Sequence, residues 1–489
     1  MGNKVLFSLL AASLLVGGCG DGGGAGPGDG QQPPPDETTG VVTFGTITRF
    51  GSIVANGTVF DCDSASVTMN DSPGNLTDLR VGHVVAITAT IRAREQYAVA
   101  NRIGCLDEVE GPITDIDMAN YSFTVLGHTV FFDELTVFEN VAYGDLAVGN
   151  VVRVMGQQRH QERVQATHVE RIANAYAPGM RMEVKGEIAD LQPGLMRFRI
   201  GTQDCDYSAA MLELGAAELA NGLYVEVSST TPLTNGDLIL DRIRARDRDQ
   251  DRDRDHQCDT GCEFDLEGFI TDFVSPTEFY VDDAPVTTTD STVYVNGTVD
   301  TLGVDVRVAV SGTIDDSGVL IASKIVFRLL SIIQIEADAE AIDTANATVR
   351  LLGIDVTTDD STMFRDLSEA AVVEFWLDDL AVGDRIELRA YLQGDTIVAT
   401  RLERDDAEAK VTLKAPVEAI DRPSLTMLGV TVTADDNTVY QNAARETVDA
   451  DAFFDLVAVG TLVKASGDYN GSAILADTMY IRVCQNSCL

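Results

Sequence analysis

Residues 108–117 read EVEGPITDID, residues 122–140 SFTVLGHTVFFDELTVFEN, residues 145–156 DLAVGNVVRVMG and residues 163–172 RVQATHVERI. These segments alternate or run apolar and are rich in Val, Thr, Phe and Ile, the composition that fits a pleated, half-buried surface. Turn residues separate them: Asp-Met-Ala-Asn at 117–120, Leu-Gly at 126–127 and Val-Gly at 148–149. The stretch therefore reads as about five short strands.

The same order of elements recurs along the chain. The opening element appears around Gly45 (FGTITRF), Gly111 (EGPITDID), Gly186 (KGEIADL), Gly268 (EGFITDF), Ala337 (EADAEAID) and Ala415 (KAPVEAID). The middle element is LRVG at Gly82, LAVG at Gly149, LANG at Gly222, LAVG at Gly383 and VAVG at Gly460; the fourth copy has LGVD, with Asp305 in place of the glycine. The closing element is ANRI at Ile103, ATHV at Val169, LDRI at Ile243, ASKI at Ile325, ATRL at Leu402 and ADTM at Met479. The closing residues are spaced by 66, 74, 82, 77 and 77 residues. A drifting period of that size implies small domains with variable loops, each owning a core, rather than the thin repeats of a solenoid. Six units follow: 41–106, 107–175, 180–246, 263–329, 333–405 and 409–484.

Helical composition falls between the third and fourth strands at 208–220 (SAAMLELGAAELA), 366–380 (DLSEAAVVEFWLDDL) and 449–456 (DADAFFDL). The order β-β-β-α-β-β is that of the OB-type small barrel, and closure would remove exposed strand edges. The expected fold is all-β with minor α: tandem five-stranded OB-like β-barrels in a row. An open five-stranded sheet or half-barrel is the alternative. The series GPIT, FTVLG, DELTVF, LAVGNVVRVMG, ATHV in the second unit, with LAVGDRIEL and ATRL in the fifth, resembles the bacterial domain of unknown function 5666. The resemblance spans most of 41–484, is weakest in the third unit, implies the architecture and an envelope location, and transfers no catalytic residue.

The N-terminus reads as an address. Lys4 precedes an apolar run from Val5 to Val16, which ends in Val16-Gly17-Gly18-Cys19. A dozen apolar residues suit a signal peptide better than a membrane span. The ending resembles the bacterial lipobox, which implies removal of residues 1–18, lipidation of Cys19 and, with Gly20 next, an outer-membrane destination. Residues 19–40, dominated by Gly, Pro and Asp, read as a flexible tether. The membrane is thus an expected partner, through lipid.

Length alone, 489 residues, suggests about three domains; the repeats raise that to six. The 77 acidic and 35 basic side chains give a formal charge of −42. The second unit has 11 acids against 4 Arg and the fifth 17 against 6, so the charge is spread along the chain. A nucleic-acid partner is excluded, because backbone binding needs excess cations and single-strand binding needs stacking aromatics. The run RIRARDRDQDRDRDHQ at 242–257 pairs each Arg with an Asp; it reads as a strand with one charge per face or, at 247–262, as a solvated linker.

Candidate site residues are few. Asp133, Asp290, Asp360 and Asp436 recur before Thr-Val-Phe-like triplets. They read as turn aspartates bonding nearby N–H groups rather than cation ligands, since calcium needs six to eight clustered oxygens. Cys62, Cys105, Cys205, Cys258, Cys262, Cys484 and Cys488 are disulfide candidates in an exported chain. Repeat logic pairs Cys62 with Cys105, Cys205 with Cys258 or Cys262, and Cys484 with Cys488; a rival scheme closes Cys258–Cys262. His83, His128, His160, His168 and His256 sit in no hydrolase, Walker or dinucleotide motif, and Trp376 reads as core. No catalytic, cofactor or metal constellation is expected. The chain reads as a non-enzymatic binding or scaffold module for envelope proteins or glycans, with an unrecognised hydrolase or a divalent-cation-binding surface as alternatives.

Overall fold

The computed structural model describes residues 38–92, 97–105, 107–118, 120–159, 163–246, 263–329 and 331–482. The leader, the tether as far as residue 37 and the Asp/Arg linker at 247–262 lie outside the described residues, as do Cys19, Cys258, Cys262, Cys484, Cys488, His160 and His256; residues 38–40, expected in the tether, instead open the strand Thr38–Arg49.

The second unit shows how each barrel is made. Its first strand is Val109–Asp117, the second Ser122–Val125, the third His128–Phe131, the fourth Val151–Arg159 and the fifth Arg163–Ala173. The first pairs antiparallel with the second and the second with the third. The third runs parallel to the fifth, the fifth antiparallel to the fourth, and the fourth antiparallel to the first. The ring 1-2-3-5-4-1 is closed, as in an OB-type barrel. The other five units repeat it. In the third, the last strand is split into Leu238–Ile239 and Arg242–Ala245. In the fifth and sixth, the first strand is broken, as Ile333–Asp338 with Ala341–Asp343 and Val411–Pro416 with Ala419–Asp421.

Two recurring backbone exchanges explain why the sequence motifs travel together. In the Leu-x-Val-Gly turn, the glycine N–H donates to a carbonyl in the bend of the first strand: Gly82 to Ile47, Gly149 to Ile113, Gly222 to Ile188, Gly383 to Ala339 and Gly460 to Val417, all at 2.8–2.9 Å. The N–H of that same first-strand residue donates to the residue after the turn glycine, as Ile113 does to Asn150 at 2.8 Å. The bend residues Ile47, Ile113, Ile188, Ala339 and Val417 are buried. Each turn glycine has φ between 84° and 94°, where a side chain costs conformational energy. Asp305 takes the same left-handed place in the fourth unit (φ 65°) and donates to Ile270 at 2.8 Å.

Of the three helix-like stretches, only the last is helical. Residues Ala450–Leu456 form an α-helix, with the Asp449 carboxylate accepting from Ala452 N–H. The stretch at 208–220 instead carries the short strand Met211–Glu213, paired with Arg242–Ala245. At 366–380 there are turns and a single 3-10 turn, Leu377–Asp379, because Asp366 accepts from Ser368 and Val372 N–H groups and folds the chain back. Competition by such local side-chain bonds is what removes Ser- and Asp-containing segments from helices.

The row of units along the sequence is not their order in space. Each first strand also pairs with another unit's first strand. Thr38–Arg49 of the first unit runs parallel to Glu263–Ser275 of the fourth, with Val41 opposite Glu263 and Phe44 opposite Leu266. Val109 and Glu110 of the second face Val184 and Glu183 of the third, antiparallel. Ile335 of the fifth faces Leu413 of the sixth, antiparallel. Three sheets of 12, 13 and 14 strands result. The expectation that each unit owns its core is corrected here: the second and third units share one continuous apolar cluster, and the fifth and sixth share another. The first and fourth units keep separate clusters, although Val42 of the first packs into the core of the fourth.

Candidate functional site

The recurring aspartates are structural. Asp133 Oδ1 accepts from Leu135 N–H at 2.8 Å and Thr136 N–H at 3.2 Å. Thr136 Oγ1 accepts from Asp133 N–H at 3.0 Å and donates to the Ala166 carbonyl at 2.8 Å. Ala166 opens the closing motif, so the clamp ties the third-strand exit to the fifth strand. The fourth, fifth and sixth units repeat it: Thr292 donates to Ala322, Thr362 to Ala399 and Thr438 to Ala476, at 2.7–2.8 Å. The carboxylates involved are Asp359 and Asp435, bonded to the N–H groups of Ser361 and Asn437. The expected positions Asp360 and Asp436 are each one residue off, and in the fourth unit Thr289 stands before Asp290 and does the same work. Asp360 instead pairs with Arg49 of the first unit at 3.5 Å. Trp376, expected as core, is half-buried beneath the Arg49 guanidinium, 4.0 Å from its ring centre.

The Cys62–Cys105 disulfide is overturned. Both are buried free thiols, and so is Cys205. The third strand of the first unit pairs with the fifth so that Asp61 faces Val99. Cys62 therefore lies beside the start of the fifth strand, and Cys105 is five residues further along, roughly 17 Å at 3.3 Å per residue. Disulfides need Cα atoms within about 7 Å. Cys62 donates to the Phe60 carbonyl at 3.3 Å, and burial pushes its thiol up to about 11; burial pushes Cys205 up to about 12.

Polar chemistry concentrates at the seams between barrels, and the second unit touches every other. Against the fourth, Arg159 Nε and Arg163 Nη2 reach Asp305 at 3.3 and 2.6 Å. Against the fifth, Arg401 donates to the carbonyls of Glu134 and Thr136 at 3.0 and 3.3 Å. Against the sixth, Lys414 pairs with Glu134 and Arg482 donates to the Tyr121 hydroxyl at 3.2 Å. Against the third, buried Asp107, Glu110, Glu183 and Glu226 meet Arg153, Arg181, Lys185 and Arg246. Burial, then Asp107 and Glu226 nearby, push the Glu183 carboxyl up to about 7. Arg242, Arg244 and Arg246, the start of the Arg/Asp run, pair with Glu226, Glu213 and Asp71, so this part is a strand facing carboxylates.

The seam with the first unit holds a different set of groups. His83 and His168 pack edge to face, ring centres 4.7 Å apart. His168 Nε2 lies 3.2 Å from Glu139 Oε2, and the imidazole beside it holds the Glu139 carboxyl down to about 2. His83 is held down to about 2 by burial and by His168, so it is neutral. Its Nδ1 lies 3.7 Å from Cys105 Sγ, which lies 3.8 Å from Met155 Sδ. Cys105, His83 and Met155 are 1%, 4% and 3% exposed. The remaining described histidine, His128, is buried on the third strand of the second unit.

Among curated proteins none matches. A solved structure of Drosophila Unr CSD456 is 13% identical over 44% of this chain and 98% of its own, with a TM-score of 0.15, which carries no argument about fold or function. The family model described as domain of unknown function (DUF5666) matches residues 110–170, 267–326, 338–403 and 414–478, just over half of the chain. These are the units that carry the threonine clamp. A repeated sequence model and a repeated closed barrel with the same two internal ties coincide, and the chain belongs to this family of domains of unknown function.

Proposed function

We propose that this is a lipid-anchored cell-envelope protein in which six barrels act as a non-enzymatic binding or scaffold module, taking envelope proteins or glycans as partners. One observation carries the reading. The residues shared between units, which any function common to the units would use, are engaged in the barrel's own turn and clamp hydrogen bonds. What varies between units lies at their surfaces and seams. The lipobox-like Val16-Gly17-Gly18-Cys19 and the Gly/Pro/Asp tether support anchoring, since two or three acyl chains hold a chain stably at a bilayer.

Fractionation of producing cells tests the anchor. The intact chain is expected with membranes and released by detergent, whereas C19S is expected free of them; intact chain in the soluble fraction sinks the anchoring. Turnover of an envelope substrate, abolished by one carboxylate or histidine change, would overturn the non-enzymatic reading.

A further inference from the structure

We propose that Cys105, His83 and Met155 form a binding site for one soft, monovalent metal ion, copper(I) being the ion their donors fit. The site goes beyond the scaffold reading and against the sequence expectation of no metal ligands. Among the described residues no three His, Cys, Asp or Glu side chains gather as a metal-binding group. The third donor here is a thioether, and it comes from another barrel.

The geometry supports this. Metal bonds of about 2.3 Å to sulfur and about 2.0 Å to nitrogen, meeting at about 120°, hold sulfur and nitrogen about 3.7 Å apart and two sulfurs about 4.0 Å apart. The observed separations are 3.7 Å for Cys105 Sγ to His83 Nδ1 and 3.8 Å for Cys105 Sγ to Met155 Sδ. Cys105 Sγ thus stands at metal-bridging distance from each of the other two donors. The donor set is soft: thiolate and thioether select copper(I), and imidazole is compatible with it. Charge points the same way. A monovalent ion with one thiolate is neutral, and neutrality is what a site so buried tolerates; a divalent ion would leave a net positive charge in low dielectric.

The surroundings hold the donors in place. Cys105 ends the fifth strand of the first unit, opposite Val85 on the fourth, and Met155 sits mid-strand in the second unit with its side chain packed into the first unit's core. His168, fixed by Glu139, packs its ring against His83 and limits its rotation. Fixing a ligand from behind is how such sites are commonly tuned. Binding transfers the His83 Nδ1 lone pair from the Arg80 N–H, now 3.2 Å away, to the metal, and releases the Cys105 proton to solvent.

The test is an anaerobic titration of the full chain with copper(I), with bicinchoninate as the competing chelator. A background carrying C19S, C62S, C205S, C258S, C262S, C484S and C488S leaves Cys105 as the one thiol. The expected result is one copper per chain, with X-ray absorption showing two sulfurs and one nitrogen. Affinity is expected to fall at least about tenfold in M155L, since even a supporting contact at a metal is worth about that much, and to vanish in C105S. M155L is close to volume-conserving, so an unchanged melting curve separates a lost donor from a lost fold. A background chain that binds no copper, or binds it equally with M155L and C105S in place, overturns the site. Zinc(II) outcompeting copper(I) at these residues overturns the choice of ion.

Discussion

In the four barrels that carry it, the recurring Thr hydroxyl does more than the aspartate that first draws the eye. Thr438 Oγ1 bonds the Asp435 N–H at 2.8 Å and the Ala476 carbonyl at 2.7 Å, and its residue is 8% exposed. Thr438→Val keeps the shape and orphans a buried carbonyl and an N–H, so a loss of about 1–3 kcal/mol is expected in urea unfolding. Asp436→Ala, on the exposed neighbour, is expected to change stability by less than about 0.5 kcal/mol. The reverse ranking would restore Asp436 as the working residue. The sequence contains this clamp, but two adjacent aspartates in Asp-Asp-Asn-Thr offer two registers, and the hydrogen bonds choose between them only once the strand direction is known. Asp305 teaches a related lesson. A residue that breaks the Leu-x-Val-Gly pattern looks like drift, yet its carboxylate ties Arg159 and Arg163 of another barrel. Asp305→Asn keeps the left-handed turn residue and removes the charge. It is expected to cost about 1.5–3 kcal/mol, the range for a hydrogen bond to a charged group, with a smaller cost in high salt because the pair is partly solvated. An equal cost at all salt concentrations would contradict the ion-pair account.

Among elements, the first strands are decisive because each closes its own barrel and also pairs with the first strand of another. Their existence and order are legible from Gly-x-Ile-Thr and the turn after it. Their partners are not, because a strand edge carries the same N–H and C=O groups whatever meets it, and the burial of both faces is visible only when the neighbour is present. The helix-like inserts fail for a local reason: Asp366 and its serine neighbour compete with helical bonds, whereas Asp449 sits where it can cap one. At the junction of the second and third units' first strands, Glu183 gives a pH signature. Its carboxyl, ordinarily near 4.5, is raised to about 7 in the folded chain. Between these values the folded state keeps a proton that the unfolded state has released, so this group's contribution to stability falls as pH rises from 4.5 to 7 and is level outside that window. Denaturant unfolding across that range is expected to show the decline, and Glu183→Gln to flatten it. An unchanged slope in the variant would place the buried charge elsewhere.

At the scale of the whole chain, six sequence units reduce to fewer cooperative ones. The fifth and sixth share a core that includes Ile335, Leu413, Leu388 and Val463. A fragment covering 331–482 is therefore expected to unfold in one transition, and a fragment of the sixth unit alone to be far less stable, because its first strand would expose an apolar face. Circular dichroism during urea titration decides this; a lone sixth unit as stable as the pair would return the chain to independent beads. The formal charge of −42 also takes on a position. Part of the cationic charge is drawn into the seams, where Arg153 meets the Glu110 carboxylate, Lys414 meets that of Glu134, and Lys185 and Arg401 donate to the backbone carbonyls of Asp107 and Glu134. The parallel pairing of the first unit with the fourth carries a consequence for how the chain is made. Val41 waits for Glu263, roughly 220 residues later, and at roughly 5–20 residues per second a ribosome takes about 10–45 s to supply it. Throughout that interval the nascent first barrel presents an open strand edge, so its maker must shield that edge from strands of the same kind on neighbouring chains.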